Sequence, residues 1–339
     1  MKDTIPKWLV EDNKQRTGEY SRNINDELFL RNLNDVLAKS AIEENESLES
    51  FPALFFFGVP RCGKTFFSQM MVYLLDLGYP DNVIARFWKS PYTGIRLSEI
   101  LRKVADDSLS FESDYGKTKG LFDPHDFAYY WHDHLQKNSH PYDFKNAKSS
   151  IDWERLNTSL AEFTSTFGKS AILKGVNPSY HINEIAKAYP KSYFIYIKRD
   201  FIDAAVSLHR GRQKNYGDIN HWYGQTPEPE VYNDLKERPY YEQIGGQFKY
   251  LTELYEGQLS ELDANRQITI NYNEFCADPM AVIQKIKADI KSEFDVEIKE
   301  KNKLKEGVIK FSTHNEELPY YKDLLKGIQA FGLDPRMNG

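Results

Sequence analysis

Residues 55–65, FFFGVPRCGKT, constrain the fold more than any other stretch of the chain. An apolar run of strand length empties into a loop bracketed by Gly58 and Gly63. Lys64 and Thr65 follow, and then an apolar-periodic segment, 66–77, that Gly78, Tyr79 and Pro80 bring to an end. Strand, glycine loop and helix in that order bring backbone N–H groups and a helix N-terminus to one point, which is how a chain cradles phosphate oxygens. Glycine matters at the bend because a side chain there blocks close approach to the backbone.

The same rhythm returns further on. Residues 171–174 read as a strand, 182–188 as a helix, 193–197 as a strand and about 202–210 as a helix, and such crossovers favour a parallel sheet. A helix near 242–262, a strand at 267–271 and a helix after Asp278-Pro279 complete the pattern, and 83–88 reads as one more strand. The expected fold class is therefore α/β, a central parallel sheet with flanking helices of the P-loop NTPase-like kind. Residues from about 95 to 168 are aromatic, His-rich and Gly-poor; they read as a mainly helical insertion. Residues 211–241 read as a long loop, of the length that usually serves as a lid. Residues 1–50 read as a helical appendage, with a helix over about 24–42 and the acidic stretch 43–50, ahead of a single α/β domain over 51–339.

Composition narrows the function. A net charge of −6 argues against a generic nucleic-acid binder, whose affinity needs clustered cations that release counterions. With two cysteines, Cys62 and Cys276, neither a disulfide framework nor a Cys-rich zinc site is available, and a reducing cytoplasm is the simplest setting. His132 and His134 stand two apart and so do not share a helix face, which gives no reason to expect a metal. No segment is apolar and long enough for a leader peptide or a membrane span.

A second element sharpens the reading. In YFIYIKRDFIDAAVSLHR, residues 193–210, a strand delivers Arg199 at its C-terminal end, and Ser207 follows about two helical turns on. Together with Pro60-Arg61-Cys62-Gly63-Lys64-Thr65, this segment resembles the sulfotransferase family, which uses 3′-phosphoadenosine 5′-phosphosulfate. The family's loop is of P-K/R-S-G-T-T type, and its second element is close to F-I-Y-x-x-R-D-P-x-D-x-x-x-S. Phe194-Ile195-Tyr196, Arg199-Asp200, Asp203 and Ser207 stand at the matching offsets. Similarity extends to Lys174 with Pro178, and to residues 270–279 near a typical Y-E-D-L strand and A-D-P helix start, so that it covers about 52–295 in patches. Cys62 replaces the usual Ser, Lys64 a common Thr, and Phe201 the Pro after Arg-Asp.

The resemblance implies a donor site in which Arg61 touches the transferring sulfonate. Cys62, Gly63, Lys64, Thr65 and Phe66 would surround the 5′-phosphate, and Arg199 and Ser207 would hold the 3′-phosphate. It implies sulfonate transfer to a hydroxyl on a small molecule or glycan, with Arg61 and Lys64 supplying the charge that dispenses with a metal. The general base is less legible. Lys174-Gly-Val-Asn-Pro178 lacks the His of the family's K-T-H-x-P stretch, so His125 and Asp126, in a segment similar to G-P-x-E-x-x-x-F-W, are the candidates; both equally suit capping of a helix over 127–135. Two other readings stay open on sequence alone. One is a P-loop kinase or triphosphatase holding Mg²⁺ through Thr65, for which Asp200 is the nearest match to a Walker-B acid. The other is a nucleotide-binding module without catalysis.

Overall fold

The computed structural model of the chain describes residues 5–39, 49–304 and 316–336. Its described strands are β1 (Ala53–Phe57), the two-residue pair β2 (Ser113–Asp114) and β3 (Lys117–Thr118), β4 (Ala171–Lys174), β5 (Ser192–Lys198) and β6 (Gln267–Asn271). Four of them form one parallel sheet in the order β4-β1-β5-β6, while β2 and β3 pair as an antiparallel hairpin. Ala53 is in register with Ala171 on one side and Ser192 on the other, so the strand C-termini share an edge. In this topology that edge is where ligands bind.

Burial explains why 53–57 is a run of apolar residues without alternation: β1 is central, and both its faces are covered by helices. Phe55 stacks on its register partner Phe194 with ring centres 5.4 Å apart, and Phe57 stacks on Tyr196 at 5.5 Å. Phe56 packs at 5.5 Å on Phe67 of the helix Lys64–Leu74, which fixes that helix to the sheet. Phe56→Ala leaves a cavity beneath the glycine loop and is expected to lower stability by about 3–5 kcal/mol in a denaturant titration.

Three expectations are corrected by tertiary structure. Residues 83–88 form no strand; Ile84–Arg86 is a 3₁₀ turn, because the buried Asp81 carboxylate accepts the N–H groups of Val83 (3.0 Å) and Ile84 (2.8 Å) and imposes a turn on β-prone residues. The second-element helix runs over Phe201–Tyr216 and ends on left-handed Gly217, well beyond 210. Residues 211–241 are consequently not one loop, and Pro229–Leu235 is helical as well. A closing helix, Tyr321–Ala330, also escaped the sequence reading. It packs on Tyr240–Ser260 so closely that a Cβ on Gly245 would stand 2.2 Å from the Gly327 carbonyl oxygen.

Around 95–168 the helices are Pro91–Arg102, Ala128–His134, Phe144–Ala147 and Trp153–Phe167, with the β2–β3 hairpin between the first two. Near the N-terminus, Lys7–Gln15 and Ile24–Lys39 are helical, and the acidic stretch 43–50 falls outside the described residues except for Glu49 and Ser50. Among the described residues no helix is long and apolar enough to cross a membrane.

Candidate active site

The turn after β1 is built by close approach. A Cβ on Gly58 would lie 2.3 Å from the Ile197 carbonyl oxygen of β5. Gly63, at φ +101°, caps the helix Lys64–Leu74, and a Cβ there would lie 2.1 Å from the Tyr272 ring. Gly63→Ala therefore meets both an unfavourable backbone and a steric clash. It is expected to cost about 2 kcal/mol or more, read as a lowered unfolding midpoint.

Arg61 also adopts a left-handed backbone, φ +68°, a conformation that costs a non-glycine residue about 1–3 kcal/mol and persists only when its surroundings hold it. Three contacts do so. Arg61 Nε donates to Ser207 Oγ at 3.0 Å, its carbonyl accepts from Arg199 Nη1 at 3.2 Å, and its guanidinium lies over the Tyr115 ring at 5.1 Å. The loop cation, the strand-end cation and the helix serine, separated by up to 146 residues in sequence, are thus one cluster. Arg199 is further set by Asp203 at 3.8 Å and by the Tyr272 ring at 4.9 Å.

Lys64 turns inward. Its buried Nζ donates to the Gly58 (2.7 Å) and Val59 (2.8 Å) carbonyls and sits 3.6 Å from Cys62 Sγ, while burial, with Lys174 adding repulsion, lowers its pKa. In this arrangement Lys64 ties the loop to itself. Cys62 is wholly buried, and its N–H is bonded to the Val59 carbonyl at 3.3 Å.

A cavity of about 350 Å³ opens at the strand C-termini, and the sheet order lays out its walls. Lys174 ends the edge strand β4 and Val176 follows it; Arg61, Gly63, Lys64, Thr65 and Phe66 follow β1; Arg199 follows β5, and Tyr272 follows β6. Phe66 meets Tyr272 edge-on, with ring centres 6.4 Å apart. The hairpin contributes Ser113, Tyr115 and Gly116; it is tethered by the bond from Tyr223 Oη to the Tyr115 carbonyl (2.8 Å) and by Lys214 on Asp114 (2.9 Å).

Asp126 and Lys137 complete the β4 side. Asp126 Oδ1 is ion-paired with Lys174 Nζ, which also reaches Thr65 Oγ1 at 3.4 Å. Burial pushes the Asp126 carboxyl up, but Lys174, His125 and Lys64 outweigh it and leave the group below its ordinary value. Of the residues singled out in the sequence, Cys62, His125 and Ser207 do not line the cavity. Ser207 reaches it through Arg61, whereas His125 Nδ1 accepts the Phe127 N–H at 2.9 Å, and burial drives its imidazole to about 4.

Sequence reasoning gave no role to Lys174, Lys137, Tyr115, Tyr223 or Tyr272. A signal existed for two of them: Lys174 ends β4 and Tyr272 follows β6, the positions that in a parallel sheet face the ligand edge, as Arg199 does. The other three come from connections that no local pattern aligns with the sheet. Among the described residues no group of three or more His, Cys, Asp or Glu is placed to hold a metal ion.

A strand–glycine-loop–helix unit with cations converging at the sheet's C-terminal edge is an arrangement suited to anions. The sulfotransferase family model matches residues 52–295, and the chain belongs to the sulfotransferase family. Its activity is accordingly transfer of a sulfonate group to an acceptor. Among solved structures, the chain is similar to the sulfotransferase STF1 from Mycobacterium tuberculosis H37Rv, with 12% identity over 96% of this chain and 87% of that one, at a TM-score of 0.48. It is also similar to the sulfotransferase STF9 from Mycobacterium avium, with 14% identity over 85% and 79% and a TM-score of 0.47. No curated protein matches the sequence.

Proposed function

We propose that the protein transfers sulfonate from 3′-phosphoadenosine 5′-phosphosulfate to a hydroxyl of a small molecule or glycan. The observation that carries this reading is the joined cluster of Arg61, Arg199 and Ser207 beside Gly63: a loop cation and a strand-end cation at one cavity suit a nucleotide with anionic groups at two ends. Gly63, Lys64, Thr65 and Phe66 line the cavity at the start of the helix Lys64–Leu74, a position that fits backbone binding of a phosphate. Two buried free thiols are compatible with a reducing, cytoplasmic setting.

In this reading Gly63, Thr65 and the N-terminus of the following helix receive the 5′-phosphate, and Arg199 receives the 3′-phosphate, while Ser207 acts through Arg61, whose Nε–H it accepts. Lys64 holds the loop carbonyls and adds positive potential from behind. Arg61 faces the charge that develops on the departing phosphate oxygen as the acceptor oxygen bonds to sulfur and the old S–O bond breaks. Asp126, not His125, takes the acceptor proton, because it is the carboxylate on the cavity wall and Lys174 keeps it ionised. A depressed carboxyl is a weak base; that suffices when bond making lags bond breaking, as in loose phosphoryl transfer, and the proton leaves late.

Calorimetry with 3′-phosphoadenosine 5′-phosphate and with ATP, each with and without Mg²⁺, tests the donor assignment. Metal-independent binding of the bisphosphate is expected. Binding of ATP alone, and only with Mg²⁺, would transfer the loop to the kinase reading.

A further inference from the structure

The cations of the cavity are not equally provided for. Lys64 is held by loop carbonyls, Lys174 by Asp126, and Arg199 by Asp203 and the Arg61 carbonyl. Lys137, partly buried on the same wall, has one polar side-chain contact among the described residues: Nζ donates to Asn177 Oδ1 at 2.9 Å, with the Tyr142 ring 5.8 Å away. No carboxylate of the described residues is within ion-pair distance. Burial alone pushes its ammonium down to about 8, so the charged form still prevails at neutral pH.

Position assigns this ammonium to a substrate. Arg199 and Tyr272 lie on the β5–β6 side of the loop, and Asp126, Lys137, Lys174 and Val176 lie on the β4 side. With the 3′-phosphate on Arg199, the sulfonate end of the donor faces β4, and whatever approaches it meets Asp126 and Lys137 together. A desolvated cation that has only an amide partner is poorly compensated, and a ligand anion supplies what the protein does not. We infer that the acceptor is a hydroxyl compound that also carries an oxyanion, a carboxylate or phosphate, which Lys137 and Asn177 recognise while Asp126 meets the hydroxyl. The inference names the acceptor class of the proposed sulfonate transfer and rests on that reading.

The test uses the full chain saturated with 3′-phosphoadenosine 5′-phosphate. It is titrated calorimetrically with D-glucuronate, glycolate and 4-hydroxybenzoate, each beside its neutral counterpart: D-glucose, ethylene glycol and 4-hydroxybenzyl alcohol. At least one anion is expected to bind about 10-fold more tightly than its counterpart, the size of one charge-assisted contact. Lys137→Met should abolish the preference and Lys137→Arg should keep it, while bisphosphate affinity in both variants shows the fold intact. Lack of any anion preference in the native chain, or a preference that survives Lys137→Met, overturns the inference and leaves the donor assignment standing. Failure of the bisphosphate itself to bind overturns the donor assignment, and the acceptor inference with it.

Discussion

Asp126→Asn is expected to lower kcat by about 10²–10³-fold, the usual scale for removing a general base, with bisphosphate binding changed by less than about 2-fold. The amide is nearly isosteric and still accepts a hydrogen bond from Lys174, so the cavity keeps its shape while the proton acceptor is lost. Single-turnover sulfonate transfer separates this from a binding defect. An unchanged rate would remove Asp126 from the chemistry.

The pH dependence carries an independent signature. Cations hold the folded Asp126 carboxyl below its ordinary value, so the carboxylate is present throughout the neutral range, and the rate should fall only as pH drops below the ordinary carboxylate value of about 4. The same linkage applies to stability. The group's contribution is complete above its unfolded pKa and is lost as pH falls through the lowered folded one. Lys174→Met removes the leading cation and leaves burial opposed only by His125 and Lys64, which should move the acid limb of the rate profile upward by about 1–2 pH units. A limb that stays in place would show that Lys174 does not set the charge of Asp126.

Arg199→Ala is expected to weaken bisphosphate binding by about 30–100-fold, the range for losing a hydrogen-bonded charge contact to phosphate. Part of that loss is indirect, since Arg199 also donates to the carbonyl of Arg61 and helps hold its left-handed backbone. Arg199→Lys restores charge but not the fork that spans phosphate and carbonyl, so it should recover only a fraction of the affinity. The measurement is calorimetric titration of each variant, and native-like affinity in Arg199→Ala would displace the 3′-phosphate from this position.

Much of the glycine loop and the strand-end cluster was legible because their signals are local. A buried strand must be apolar on both faces, a tight turn against a neighbouring backbone must be glycine, and a helix must start where its N–H groups meet the ligand. Residues 53–65 and 193–207 therefore display their arrangement without reference to the rest of the chain. The strand–helix rhythm around them conveyed the parallel sheet for the same reason.

Other features rest on particular side-chain bonds and on packing that neither periodicity nor propensity registers. Asp81 turned 83–88 away from a strand through bonds that β propensity does not register. The sequence presented His125 and Asp126 as equals; folding bonded the first to the Phe127 N–H and set the second on the cavity wall against Lys174, 48 residues away. Lys64 lines the cavity, and its ammonium is bonded to two loop carbonyls, a detail that no pattern in the sequence displays. The rest of the cavity wall comes from 113–116, Asp126, Lys137 and 223–225, and long-range packing of that kind leaves no periodic trace in the chain. Backbone-bound anion sites are written in local sequence because their geometry is local; a pocket made of side chains from distant connections exists only once the chain has folded.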